Sequence, residues 1–338
     1  MTPDRFDTLT SRYPSLRLAV VGDFCLDRYF DIDPTRAETS LETGLPVHNV
    51  TRVRCQPGAA GTILNNLVAL GIGQLVPVGL SGDDGEGWEL RRALAALPGV
   101  SLKSFLTSSE RHTFTYSKPL VHHQDRPPEE LSRLDLKNWT PTPPVLRERL
   151  AASARDAVNA CDGAIVLDQV DLEGTGVVTG PMLETFRDLV REKPGRWIVA
   201  DSRRGLRGWP PLIFKMNARE LGAWSGRPVD SLAEIQSACL EMARANQQPA
   251  FVTLAERGMV GATPNGDVSH VPSLPLRGPI DIVGAGDSVT ANLTAALAAG
   301  ATLAEAMELA MAAASLVIHQ LGTTGTASVA QIRNLLWR

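Results

Sequence analysis

Short apolar runs, each closed by a polar or acidic residue, set the rhythm of this chain. Leu18–Gly22 ends at Asp23, Ala164–Leu167 at Asp168 and Trp197–Ala200 at Asp201. Runs of this length, rich in Val and Ile, predict buried parallel strands. Between them the spacing predicts helices over Gly58–Leu70, Glu86–Leu97, Pro181–Arg191 and Ser231–Ala245. Strands alternating with helices imply right-handed βαβ units, and so an α/β fold with a doubly wound, mostly parallel sheet flanked by helices. In such sheets ligands bind beyond the carboxyl ends of the strands, where these carboxylates stand. Each carboxylate, taken singly, reads as well as a helix cap or a turn residue.

Two segments break the alternation. Leu45–Val53 and His112–Lys118 alternate with a strand-like period, outside the helix rhythm. They predict a small β-sheet projecting from the body as a lid, inserted over about 29–55 and 111–125; a surface hairpin without function is the competing reading. Pro127–Pro128 and Pro141–Pro144 mark loops. Further on, Thr302-Leu-Ala-Glu305 has the form of a capping box and predicts a long Ala-rich helix ending near Gly322. A preceding helix is expected from about Asp287 to Gly300, and the alanines on both suit close helix packing.

Composition narrows the function. The 338 residues carry a formal net charge of -4 and 43% hydrophobic residues, enough for a large core and without the basic excess that nucleic acid would require. The four cysteines lie far apart without a CxxC pair, which suits reduced thiols and neither a zinc site nor a disulfide framework. The polar N-terminus lacks the apolar core of a secretory signal, and no apolar run is long enough to span a membrane. A cytoplasmic protein with a small-molecule partner is expected.

The string Asp281-Ile-Val-Gly284-Ala285-Gly286-Asp287-Ser288, followed at once by a helix, carries the most chemistry. Without bulky side chains, the turn can aim main-chain N–H groups at an anion, reinforced by the positive end of the helix dipole. Phosphoryl transfer needs such a device, because charge spreads over the transferred oxygens. Asp287 at the same turn can take a proton from an acceptor hydroxyl. An ordinary helix start with an aspartate cap is the competing reading.

Asp281–Ser288 resembles the signature of the ribokinase-like (PfkB) carbohydrate kinases, and the resemblance runs from about Leu18 to Leu336 with landmarks in the same order. It implies a kinase domain over 12–338 that uses ATP and Mg2+, with Gly284, Ala285 and Gly286 forming the anion hole and Asp287 as general base. Val20-Val-Gly-Asp23 through Asp27-Arg28-Tyr29 is especially similar to heptose-7-phosphate kinases. Pro57-Gly58-Ala-Ala-Gly61 through Asn66 resembles the sugar-binding signature, which makes Asp23, Asp27, Gly58, Thr62 and Asn66 candidates for gripping the acceptor. Arg133-Leu134-Asp135 resembles the return from the lid. Asn217-Ala-Arg-Glu220 resembles the NxxE motif, whose glutamate helps organise magnesium through water. Thr253, Gly258 and Gly322 match positions beside the nucleotide. The resemblance also implies a homodimer joined through the lid.

The residues of NxxE have a reading of their own. They follow the apolar run Ile213–Met216, so they belong at a strand's carboxyl end, where an amide and a carboxylate could order the waters of a magnesium ion. A capped helix start explains the same residues. Arg203, just after Asp201, is a candidate for contacting phosphate, with a surface arginine as the alternative.

The family's paired glycines are replaced here by Gly58-Ala59, and its asparagine by Thr62, which puts the acceptor in question and leaves the transfer machinery intact. A heptose phosphate or similar sugar phosphate is the first expectation, with nucleosides and simple hexoses open. With no nucleotidyltransferase segment after the kinase-like region, a bifunctional heptose enzyme is not expected. The competing function is a non-catalytic sugar or nucleotide sensor, against which the intact GAGD and NxxE strings argue. A dinucleotide-binding dehydrogenase is disfavoured, because the first strand leads into Gly22-Asp-Phe-Cys-Leu-Asp27 and lacks the GxGxxG turn.

Overall fold

The computed structural model describes residues 1–337. Helix α1 (Pro3–Thr10) precedes β1 (Arg17–Gly22), and β2 (Phe24–Ile32) follows after a single residue. Two short strands, β3 (Glu38–Thr39) and β4 (Pro46–Val47), and the long β5 (Val50–Ala59) lead into α2 (Ala60–Ala69). Next come β6 (Gln74–Gly82), α3 (Gly85–Ala95), β7 (Phe105–Ser108), β8 (Thr115–Val121), β9 (Glu129–Glu130) and β10 (Leu134–Leu136). The alternation then continues with α4 (Pro144–Ala160), β11 (Gly163–Asp168), α5 (Gly180–Glu192), β12 (Trp197–Ser202) and β13 (Ile213–Asn217). Helices α6 (Ala218–Ser225) and α7 (Leu232–Asn246) lead to β14 (Ala250–Thr253) and the hairpin β15 (Met259–Ala262) and β16 (Val268–Val271). Helices α8 (Ala285–Ala298), α9 (Leu303–Val317) and α10 (Val329–Leu336) follow.

Nine strands form the main sheet in the order β16-β15-β14-β13-β12-β11-β1-β6-β7, parallel from β14 to β7 and antiparallel at the β15–β16 edge. Strand β1 shows why the sequence folds this way. Leu18 and Val20 point into a core shared with α2, α8 and α9, while Ala19 and Val21 point into a second core shared with α4, α5 and α7. With both parities apolar, only a sheet covered on both faces can bury them.

The second sheet runs β10-β8-β2-β5, with β9 paired to β8. It is wider than the sequence pattern suggests: β2 belongs to it from Phe24 onward, and Leu134–Leu136 returns along β8. The helix expected from Gly58 starts only at Ala60, because the chain through Ala59 is still paired with Phe24. The Ala-rich helix α9 opens on its Thr302–Glu305 capping box and ends at Val317, short of Gly322. Pro143 and Pro144 open α4, a helix that the proline-marked loop conceals. The domain start expected at residue 12 leaves out α1, whose Phe6 and Leu9 are fully buried and whose Arg5 pairs with Glu305 at 2.8 Å.

Candidate active site

The turn before α8 is built for an anion. Gly284 caps the helix at φ +81°, a conformation that favours glycine. The Ala285 N–H donates back to the Ile282 carbonyl and Ser288 N–H to that of Gly284. Among the described residues, the N–H groups of Gly286 and Asp287 between them have no acceptor. Two adjacent unpaired donors at a helix mouth form a ready anion site. The loop leading in is held by Asp281, whose carboxylate accepts from Val283 N–H (3.0 Å) and Gly322 N–H (3.2 Å). Gly322 is thereby brought to the turn, and Thr324 lies against Gly284.

Behind the turn lies a charge pair that the sequence reading missed. Lys215, in the middle of β13, is only 6% exposed. Its ammonium meets the Asp201 carboxylate at the end of β12 at 2.7 Å. A Cβ placed on Gly286 would stand 3.3 Å from Lys215 Nζ, so the cation sits directly beside the turn. Burial pulls the ammonium pKa down, but Asp201, then Asp287 and Glu220, hold it above its ordinary value. Asp287 keeps some exposed surface yet is crowded by protein. Burial, and next the Asp201 charge, push its carboxyl up to about 7, against the pull of Lys215. A lysine interrupting the apolar run Ile213–Met216 was the available signal, since a charge in a buried strand needs a partner.

On the opposite wall, Asp27 in β2 pairs with Lys118 of β8 at 3.0 Å, and its charge reaches Asp287. Buried Cys25 feels the charges of Asp27, Asp287 and Asp23, so all three stand within electrostatic reach of one thiol, and Cys25 lines a cleft with Asp23 and Ala59. Asp23 has both oxygens engaged: Oδ2 accepts from Gln169 N–H (2.8 Å) and Oδ1 from Val177 N–H (2.7 Å). Burial, and then Asp168, raise its carboxyl to about 7 despite these bonds. Gly58 is required by space, because a Cβ there would fall 2.6 Å from Asp27 Oδ2 and 2.7 Å from Cys25 Sγ. Thr62 and Asn66 do not line the cleft surface as expected. Both are sealed within the packing of α2, where Asn66 Nδ2 donates to the Thr62 carbonyl at 2.9 Å. The rim is formed instead by Tyr116, Lys137 and Trp139, none of them singled out by the sequence.

The nucleotide-side candidates lie at neighbouring strand ends. Asn217 Oδ1 accepts from Glu220 N–H (2.9 Å) and Glu220 Oε2 from Asn217 N–H (2.8 Å), so the pair forms the capping box of α6. Burial, and less strongly the Asp201 charge, raise the Glu220 carboxyl above its ordinary value, which puts it in the same electrostatic field as Lys215. Thr253, paired with Asn217 across β13 and β14, donates from Oγ1 to the Met216 carbonyl at 3.3 Å. Gly258 adopts φ +92° with no room for a side chain, since a Cβ would strike the Val271 carbonyl. Arg203 is an exposed arginine bonded to Asp171, a residue of the cleft lining, at 3.2 Å.

Residues 209–330, which contain the anion turn, β13 and the β14–β15 loop, match the pfkB family carbohydrate kinase domain. Over this segment the chain is similar to the PfkB carbohydrate kinases. Its relatives include the bifunctional protein HldE of Gluconacetobacter diazotrophicus, 33% identical over 323 residues that cover 95% of this chain and 63% of the relative. HldE of Rhodospirillum rubrum is 31% identical over 311 residues, covering 91% and 60%. The chain thus spans about three fifths of the length of these relatives. The same architecture recurs in Arabidopsis thaliana ribokinase complexed with ribose and ATP (TM-score 0.69, 19% identity, 96% and 99% covered). It recurs also in Escherichia coli phosphofructokinase-2 in complex with fructose-6-phosphate (TM-score 0.68, 18% identity, 95% and 98% covered). At these identities the likeness establishes a shared fold.

Proposed function

We propose that this protein is an ATP- and magnesium-dependent PfkB-type kinase that phosphorylates a hydroxyl of a small sugar or sugar phosphate. The observation that carries this reading is a carboxyl at about 7, Asp287, beside two unpaired main-chain N–H groups, with a buried ammonium behind them. A base poised near neutral pH suits proton transfer from an alcohol. The acceptor oxygen gives its proton to Asp287 and bonds to the γ-phosphorus, while the bond from that phosphorus to the bridging oxygen breaks and ADP leaves. The Gly286 and Asp287 N–H groups and Lys215 stabilise the charge on the transferring oxygens. Glu220 fits a role toward magnesium, because the capping box uses Oε2 and leaves Oε1 free to order metal-bound waters. The metal, when bound, neutralises charge on the β- and γ-phosphates. Thr253, Gly258 and Gly322 are the proposed nucleotide contacts, and Asp27 with Gly58 the proposed acceptor wall.

A heptose phosphate is the proposed acceptor, supported by the similarity of the Val20–Tyr29 segment to heptose-7-phosphate kinases. All four cysteines are free thiols, which supports work in the cytoplasm. Among the described residues, no helix is long and apolar enough to cross a membrane. Screening sugars and sugar phosphates for ADP release tests the activity. In the D287N variant, kcat should fall about 10²–10⁴-fold with ATP affinity retained. Near-normal turnover in that variant removes Asp287 as the base.

A further inference from the structure

Position 59 combines an uncomfortable backbone with a place in the cleft wall. Ala59 takes φ 53° and ψ −118°, outside the small left-handed region that alanine tolerates and in territory normally left to glycine. Gln247, which also has positive φ, differs: at φ 54° and ψ 27° it sits inside the left-handed region and ends a helix. Ala59 cannot relax, because the chain is fixed on either side. Its strand partner is Phe24, the next N–H, of Ala60, donates to the Asp23 carbonyl at 3.0 Å, and Gly58 is wedged against Cys25 and Asp27. The held conformation places Ala59 in the lining of the cleft with Asp23, Cys25, Tyr116 and Trp139.

We infer that the Ala59 methyl is a specificity-determining wall of the acceptor pocket, kept at a strained position where glycine would fold more comfortably and leave a wider pocket. Strain of this kind persists where the surroundings over-determine it, and it clusters at ligand clamps. The inference rests on the reading of the cleft as the acceptor site of a kinase. It identifies the acceptor as a sugar whose carbon facing position 59 is trimmed, with no branch or bulky substituent where the methyl stands. One methylene in such a pocket changes discrimination by about 10–200-fold.

The test is A59G in the full chain, beside wild type, on a panel of sugars and sugar phosphates paired to differ by one hydroxymethyl group or by the configuration at one carbon. Strain relief should raise the melting temperature by about 2 °C or more, against the fall that added chain freedom alone produces. The ratio of kcat/KM within at least one pair should move about tenfold toward the bulkier member, through KM rather than kcat. A lower melting temperature overturns the strain, and ratios unchanged within about twofold across all pairs overturn the selectivity. If neither protein releases ADP with any acceptor, the kinase reading fails by itself. Equilibrium binding of the same panel, followed by calorimetry, then decides: a changed rank order in A59G supports the wall, and an unchanged order overturns it.

Discussion

At Asp287, burial and the facing Asp201 act in one direction, and Lys215 restrains them. A base of this kind works only when ionised, so the rate should fall as pH drops below about 7 and level off above it, as a kcat profile would show. Stability follows with the opposite preference. The folded protein keeps a proton that the unfolded chain releases above about 4, so each step of pH from about 4 to 7 favours unfolding, and above 7 the penalty is constant. D287N removes the penalty, and should melt several degrees above wild type at pH 8 with the gap closing toward pH 4. Thermal scans across pH read this directly, and a gap independent of pH would refute the assignment. Lys215 restrains the shift, so K215Q should move the acid limb of the rate profile to higher pH. It should also cost about 3–5 kcal/mol of stability, since Asp201 is left without its partner. A K215Q profile superimposable on that of wild type would place the lysine outside the site.

At the level of elements, Asn217 and Glu220 serve as the cap of α6 whatever else they do, and substitutions can separate the two roles. N217A should cost about 1 kcal/mol in denaturant melts by losing the cap. E220Q keeps a capping-box side chain, so its stability should stay within about 0.5 kcal/mol while the magnesium concentration for half-maximal rate rises. An unchanged magnesium requirement would confine Glu220 to the cap. The capping box of α9 was legible in the sequence because its signal is local: Thr302 and Glu305 are three residues apart. Lys215 was not legible, because what makes it tolerable is Asp201 on the neighbouring strand. For the same reason the second sheet was only half seen. Strand β2 pairs in parallel with β8, nearly ninety residues later, and such a partner leaves no trace in the period of either strand. The GAGD turn was read correctly as a helix start, but the free donors at Gly286 and Asp287 required coordinates. Thr62 and Asn66 were placed on the right helix, though the sequence could not tell that their side chains are turned into its packing.

Across the whole molecule, Val50 and Val53 on the lid strand β5, with Leu41 and Leu45 in the nearby β3–β4 loop, are exposed. Exposed apolar side chains beside a strand edge suit the proposed pairing of two lids. Sedimentation should show a dimer at micromolar concentration that V53E shifts toward monomer, and a monomeric wild type would dispose of the idea. Between β1 and β2 the main sheet passes into the lid through a single residue, Asp23, whose carboxyl is tied to Gln169 and Val177 of the body. A connection this short fixes the root of β2, so that movement of this strand is a tipping about Asp23 rather than a slide. Tipping by about 10° carries Ile32, roughly 30 Å from Asp23, through about 5 Å, and Asp27, roughly 13 Å away, through about 2 Å. Spin labels near Ile32 should therefore report acceptor binding with about twice the displacement of labels near Asp27. A lever of this form moves the mouth of the cleft further than its floor, and so narrows the entrance with the smaller change beside the acceptor.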